Sequence, residues 1–187
     1  MTSASPDLLR TLASVAPGTR VVDVAAGDGV HAHALARLGF DVWASAASPA
    51  GAEATRERLA DVLGPDDAAR RVAVARPDAL GYPDAFAPWL VASRLSPDGL
   101  VEAFVEARRV LAPGGWLWAE VDGAAPASAS AAALSVAARL AADKQAARAL
   151  ADAAEAAHLV VASLPTADTD RGTVVVVFRR VDADTVG

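Results

Sequence analysis

The sequence predicts an α/β fold: a doubly wound, mostly parallel seven-stranded sheet with a C-terminal antiparallel hairpin strand. Three observations predict it. Short runs rich in Val and Leu alternate with longer segments, and such runs are buried on both faces of a parallel sheet. The longer segments start at serine–proline pairs and stop at glycine. The last two β-rich runs flank only Leu164–Arg171, too short for a crossover helix, so they must pair antiparallel.

The strands fall at Arg20–Ala25, Phe40–Ser45, Arg71–Arg76, Pro88–Ser93, Gly115–Val121, His158–Ser163 and Gly172–Arg180. The hairpin is expected to join Val160–Val161 to Val174–Val177. Ser5-Pro6, Ser48-Pro49 and Ser96-Pro97 supply N-cap serines before a proline suited to the first helical position. Pro17-Gly18, Gly39, Gly64-Pro65 and Pro113-Gly114-Gly115 are the stops. From Pro97 to Leu111, Val101, Phe104, Val105 and Leu111 recur at helical spacing, with Glu102, Glu106 and Arg109 opposite. Trp116, Trp118 and Glu120 alternate with Leu117 and Ala119, which places the first three on one sheet face. One domain is expected over residues 1–187: an N-terminal helix in 1–19, the ligand-binding half in 20–122, and an alanine-rich helical segment with the hairpin in 123–187. Ala124–Ser130 reads as a linker within it.

Composition narrows the function. Hydrophobic residues make 53% of the 187, enough for a sizeable core. Cysteine is absent, which excludes disulfides, iron–sulfur ligation and a cysteine nucleophile. A net charge of −6 disfavours non-specific nucleic-acid binding. No apolar run reaches the ~18 residues of a membrane span, and no secretory signal opens the chain, so a cytoplasmic protein is expected. The three histidines are scattered, so no metal site is expected. Alanine occurs 49 times, isoleucine and asparagine never, and an alanine at a motif position can reflect that bias alone.

The most informative stretch is Val21-Val22-Asp23-Val24-Ala25-Ala26-Gly27-Asp28-Gly29. A strand enters a glycine turn that opens a helix at Val30, a geometry that aims backbone amides at a ligand. Gly27-x-Gly29-x-x-Ala32 fits the loose dinucleotide pattern, but no acid follows between Val42 and Gly51 where the ribose would need one.

Taken with its neighbours, this stretch resembles the first motif of class I S-adenosylmethionine-dependent methyltransferases. Phe40-Asp41-Val42 with Ser48-Pro49 resembles their second strand and following helix. Arg76-Pro77-Asp78-Ala79 resembles the turn after the third strand. Arg108-Arg109-Val110-Leu111-Ala112-Pro113-Gly114-Gly115 resembles the block before the fifth, and the terminal hairpin resembles the reversed seventh strand. The resemblance runs from Ser5 to Arg180 and implies a Rossmann-like methyltransferase fold.

It also implies roles. Asp23 would lie near the methionine amino group of S-adenosylmethionine, bordered by backbone at Ala25, Gly27 and Gly29. Asp28 would cap the helix and touch the ligand. Asp78 would accept from the adenine amino group beside the Ala79 amide. Ser93, ending the fourth strand, would face the methyl group and acceptor. The acid that usually grips the ribose is replaced by Ala46, flanked by Ser45 and Ala47. That substitution removes a charge-assisted contact worth about 1.5–3 kcal/mol.

Each residue also has a plainer reading. Asp23 and Asp78 could order local turns, and the tryptophans could simply pack. His31 is the candidate general base; His33 points elsewhere on the helix. Tyr82 and Trp89 are candidates for lining an acceptor pocket. Little chain lies beyond the core, so the site is expected to be open, served by a large acceptor, a second copy or a partner subunit. The activity expected is methyl transfer to an acceptor. The alternatives are a methyltransferase-like binding or assembly module and an NAD(P)-dependent oxidoreductase.

Overall fold

The computed structural model describes residues 3–122, 136–163, 166–168 and 173–182. The parallel core of its sheet is β1 (Arg20–Val24), β2 (Asp41–Ala46), β3 (Val72–Val74), β4 (Ala87–Leu95) and β5 (Leu111–Asp122). β6 (Leu159–Val161), β7 (Thr166–Asp168) and β8 (Thr173–Arg180) complete it. The order is β3-β2-β1-β4-β5-β8-β6, with β7 also paired to β8. β8 runs antiparallel to β5, β6 and β7; the pairings among β1 to β5 are parallel.

All seven expected strands form, and β7 adds a short eighth. It also changes the hairpin register. Val160 and Val161 pair with Arg179 and Phe178, while Val174 and Val175 face Ala167 and Thr166 of β7. Ala162 and Ser163 amides both reach the Val177 carbonyl, so the chain turns there and re-enters the sheet as β7.

Among the described residues six helices cover the sheet: α1 (Pro6–Leu12), α2 (Val30–Arg37), α3 (Pro49–Leu63), α4 (Pro65–Arg71), α5 (Leu100–Val110) and α6 (Val136–Ala156). One face carries Val22, Val24, Leu90, Leu117, Ala119, Val176 and Phe178, packed against Phe104 of α5 and Leu150 of α6. The other carries Val21, Val42, Val91, Trp118 and Val175 under Leu8, Leu12, Leu35 and Leu59 of α1, α2 and α3. Strict alternation along β1 and β5 feeds the two cores in turn. Trp116 and Trp118 share a face, as their spacing requires.

Two helix starts differ from expectation. Gly99, at φ +83°, caps α5, and Ser96 instead accepts from the Asp98 amide in the turn before it. Gly64 ends α3 and also opens α4. Ser48 does cap α3, through the Gly51 amide. The linker Ala124–Ser130 lies outside the described residues.

α1 has seven residues, too few to hold a helix alone. Leu8 and Leu12, both buried, tie it to the second core at about 1.5–3 kcal/mol each. That anchorage matters because it lays Ser3 and Ser5 beside the carboxyl ends of the strands. Among the described residues, no helix is long and apolar enough to cross a membrane.

Candidate active site

The strand order reverses between β1 and β4, the place where open α/β sheets bind ligands. β1 ends there in Asp23 and Val24. Ala25 then takes left-handed backbone at φ +59°, its successor's amide bonds the Ser45 carbonyl at 2.8 Å, and Gly29 caps α2 at φ +77°. Gly29 has no substitute. A Cβ there would lie 2.8 Å from the Thr55 Cα. Buried Thr55, on α3, also donates to the Gly27 carbonyl at 3.2 Å, so α3 holds the turn from behind.

Beneath the turn lies Asp23, fully buried, its carboxyl oxygens without a hydrogen-bond partner of good geometry among the described residues, the Ala32 amide being near. Burial raises its pKa from 3.8 to about 7; the nearby Ala32 amide pulls it down in part and the Asp28 charge adds to the rise. Tyr82, whose hydroxyl donates to the Ala44 carbonyl at 2.9 Å, is raised by burial and then by the charge of Asp23.

A pocket of about 400 Å³ opens beside the turn, lined by Ser3, Ala25, Gly27, Asp28, His31, Ser93, Arg94 and Glu120 among others. His31 and Ser93 meet across it, Nδ1 to Oγ at 3.2 Å, and the Ser5 amide donates to His31 Nε2 at 3.1 Å. Buried Glu120 accepts from buried Thr173 at 2.9 Å. A second pocket, of about 260 Å³, lies past the end of β4 between Arg76, Asp78 and the start of α5.

The structure thus brings Ala25, Gly27, Asp28, His31 and Ser93 to one pocket, with Gly29 and Asp23 behind it, and Asp78 to the next. Several details differ from expectation. Asp28 does not cap α2; its carboxylate and carbonyl hold Arg58 of α3 at 3.1 and 2.8 Å. The Ala79 amide is committed to the Arg76 carbonyl at 3.0 Å. Both Asp78 oxygens are gripped by Arg76, at 2.9 and 2.7 Å, and that hydrogen-bonded fork lowers its pKa. Trp89 stacks on Trp116, ring centroids 5.7 Å apart, and Tyr82 on Phe86 at 5.0 Å, so neither lines the pocket. Ser3 lines it, so the N-terminal segment forms a wall where none was expected.

Ala46, at the end of β2, is buried. A Cβ on Gly51 would sit 3.3 Å from the Ala46 Cβ and 2.9 Å from the Gly27 carbonyl. The first turn of α3 therefore closes on the position where a ribose-gripping acid was sought. Ser45 is buried, its hydroxyl without a hydrogen-bond partner among the described residues.

Glu120 and Arg94 were missed by sequence reasoning. Glu120 carried a signal: it is an acid on the Trp116–Trp118 face, two residues further toward the carboxyl edge. Arg94 carried none, because a bulge turns it into the pocket.

This arrangement can be compared with known proteins. Geranyl diphosphate C-methyltransferase from Streptomyces coelicolor A3(2), solved with S-adenosyl-L-homocysteine, matches with TM-score 0.69 and 16% identity over 94% of this chain and 78% of that one. The chain has the class I methyltransferase fold. A SAM-dependent methyltransferase from Aquifex aeolicus matches with TM-score 0.67 and 16% identity, over 95% of this chain and 90% of the other. The same fold serves the [4+2]-cyclase SpnF, at TM-score 0.67, 16% identity, and coverage of 94% and 79%. No family model matches the sequence, and no curated protein matches it. The methyltransferase fold accounts for the reversed β8 and for the glycine turn at the β1/β4 switch.

Proposed function

We propose that the protein is an S-adenosylmethionine-dependent methyltransferase. One observation carries the reading: a fully buried carboxylate with no cationic or side-chain partner among the described residues, Asp23, lies directly under a glycine turn at the switch point. A buried charge without a partner is costly and is retained where a ligand supplies one. A cationic amino group is the ligand chemistry that fits it. Two neighbouring pockets on the same edge, flanking the end of β4, suit an extended ligand with an amino-acid end and an adenine end.

When bound, the cofactor supplies an electrophilic methyl group on a sulfonium. The rest is the work of this chain. Asp23 would pair with the ammonium. The turn at Ala25 to Gly29 presents backbone at close range, which Thr55 fixes from behind. Asp78, pre-oriented by Arg76, keeps lone pairs for an exocyclic amine. His31, Ser93 and Glu120 would position the acceptor, and alignment is the main source of rate in such displacements.

His31 does not serve as the base in this reading, because its Nε2 lone pair is engaged by the Ser5 amide. A second reading, a methyltransferase-fold binding or assembly module, draws support from Ala46, where buried methyl replaces a carboxylate. Calorimetric titration with S-adenosylmethionine, S-adenosylhomocysteine and NADH separates the readings. Binding of the first two supports the enzyme; binding of none supports the module; binding of NADH alone supports an oxidoreductase.

A further inference from the structure

The end of β4 is built unusually. Ala92 pairs with Ala119 and Leu95 with Val121, so Ser93 and Arg94 together stand opposite the single residue Glu120. This is a bulge, a device that re-aims side chains beside functional sites. Arg94 adopts left-handed backbone at φ +54°. An arginine in that conformation costs about 1–2 kcal/mol that glycine would not. Such strain at a pocket wall points to a job for the side chain.

Arg94 carries the guanidinium of the larger pocket, whose described lining residues include no other arginine and no lysine. Its ion pair with Asp122, at 3.2 Å, joins side chains that are 66% and 38% exposed. Exposed pairs of this kind are weak and exchange readily.

Ser93 points the same way. The Ser5 amide is a donor, so His31 Nε2 must be the acceptor, and the ring hydrogen of the neutral imidazole sits on Nδ1. Nδ1 therefore donates to Ser93 Oγ. Among the described residues that imidazole is the hydroxyl's partner, and Ser93 keeps its own proton to donate. His31 acts here as a positioning residue that fixes the polarity of Ser93.

Two adjacent donors, one charged, thus face the same space. We infer that Ser93 and Arg94 form a carboxylate-recognition site for the acceptor, so that the substrate is a small molecule bearing a carboxylate. The inference rests on the methyltransferase reading for the word acceptor and on the bulge for the chemistry.

The test uses a matched pair of probes, benzoate and benzamide, titrated into protein saturated with S-adenosylhomocysteine. A charge-assisted pair predicts that benzoate binds about tenfold or more tightly than benzamide. Arg94→Gln removes the preference. Arg94→Gly also removes it and raises the melting temperature, because glycine accepts the left-handed backbone. Equal binding of the two probes by the unaltered protein overturns the inference, as does a preference that survives either substitution. Weaker S-adenosylhomocysteine binding in Arg94→Gln, with 5′-methylthioadenosine binding unchanged, also overturns it, because the arginine would then hold the cofactor's own carboxylate. If S-adenosylhomocysteine does not bind at all, the methyltransferase reading alone fails. The probe pair, titrated into the protein by itself, then still decides whether the bulge recognises carboxylate.

Discussion

Replacing Asp23 with Asn should stabilise the protein at high pH and fail to stabilise it at low pH. In the folded state the carboxyl has a pKa of about 7, against 3.8 when exposed. The folded protein therefore holds a proton that the unfolded chain releases between those values, and stability falls as pH rises through that window. Above it the full penalty applies. A rise from 3.8 to about 7 corresponds to about 4 kcal/mol between the ionised and neutral forms. Full burial means that solvent screening removes little of this. Asn keeps the size and cannot ionise. Its unpaired amide costs about 1–3 kcal/mol, and it costs the same at every pH. Urea unfolding at about pH 5 and about pH 8, run on both proteins, isolates the effect as the change in their stability difference. The unaltered protein should lose about 2–3 kcal/mol relative to Asp23→Asn over that range, because part of the penalty is already present at pH 5. A stability difference that does not change with pH would refute the assignment of a buried, unpartnered carboxylate.

Three further outcomes follow from the turn. Ala25→Gly should raise stability by about 1 kcal/mol in thermal unfolding, because Ala25 sits at φ +59°. Gly29→Ala should lower it by about 2–5 kcal/mol, combining left-handed strain with a Cβ 2.8 Å from the Thr55 Cα. Ala46→Asp should lower stability by about 1–3 kcal/mol in the same assay, and should not tighten S-adenosylmethionine binding, because α3 closes on that position.

Much of the fold is legible because its signals are local. Val21-Val22 and Val24 alternate onto two cores, and Pro17-Gly18 and Gly39 mark real turns, whereas Pro113-Gly114-Gly115 lies inside β5. The hairpin register was not legible. Four consecutive valines, Val174 to Val177, offer no pattern to distinguish one pairing from its neighbour, and β7 takes the partners expected for β6. The first half of the site was readable at Asp23, Gly27 and Gly29, where turn chemistry constrains the residue type. The second half was not. Whether Ser93 and Arg94 enter the pocket depends on a bulge, and whether Asp78 is held depends on the fork from Arg76. His31 was found as a candidate base, yet its role turns on a backbone amide from Ser5, a contact 26 residues distant that no motif encodes. Ala46 looked like a missing contact; the packing of Gly51 makes it a closed one.

The central claim is that Asp23 receives the cationic end of an S-adenosyl cofactor. Calorimetric titration with S-adenosylhomocysteine in two buffers of different ionisation enthalpy tests it directly. At about pH 7 the free carboxyl is half protonated, so pairing with an ammonium should release about half a proton on binding. The account predicts saturable one-to-one binding with that release, lost in Asp23→Asn. Absence of binding, or binding with no proton released, would contradict it.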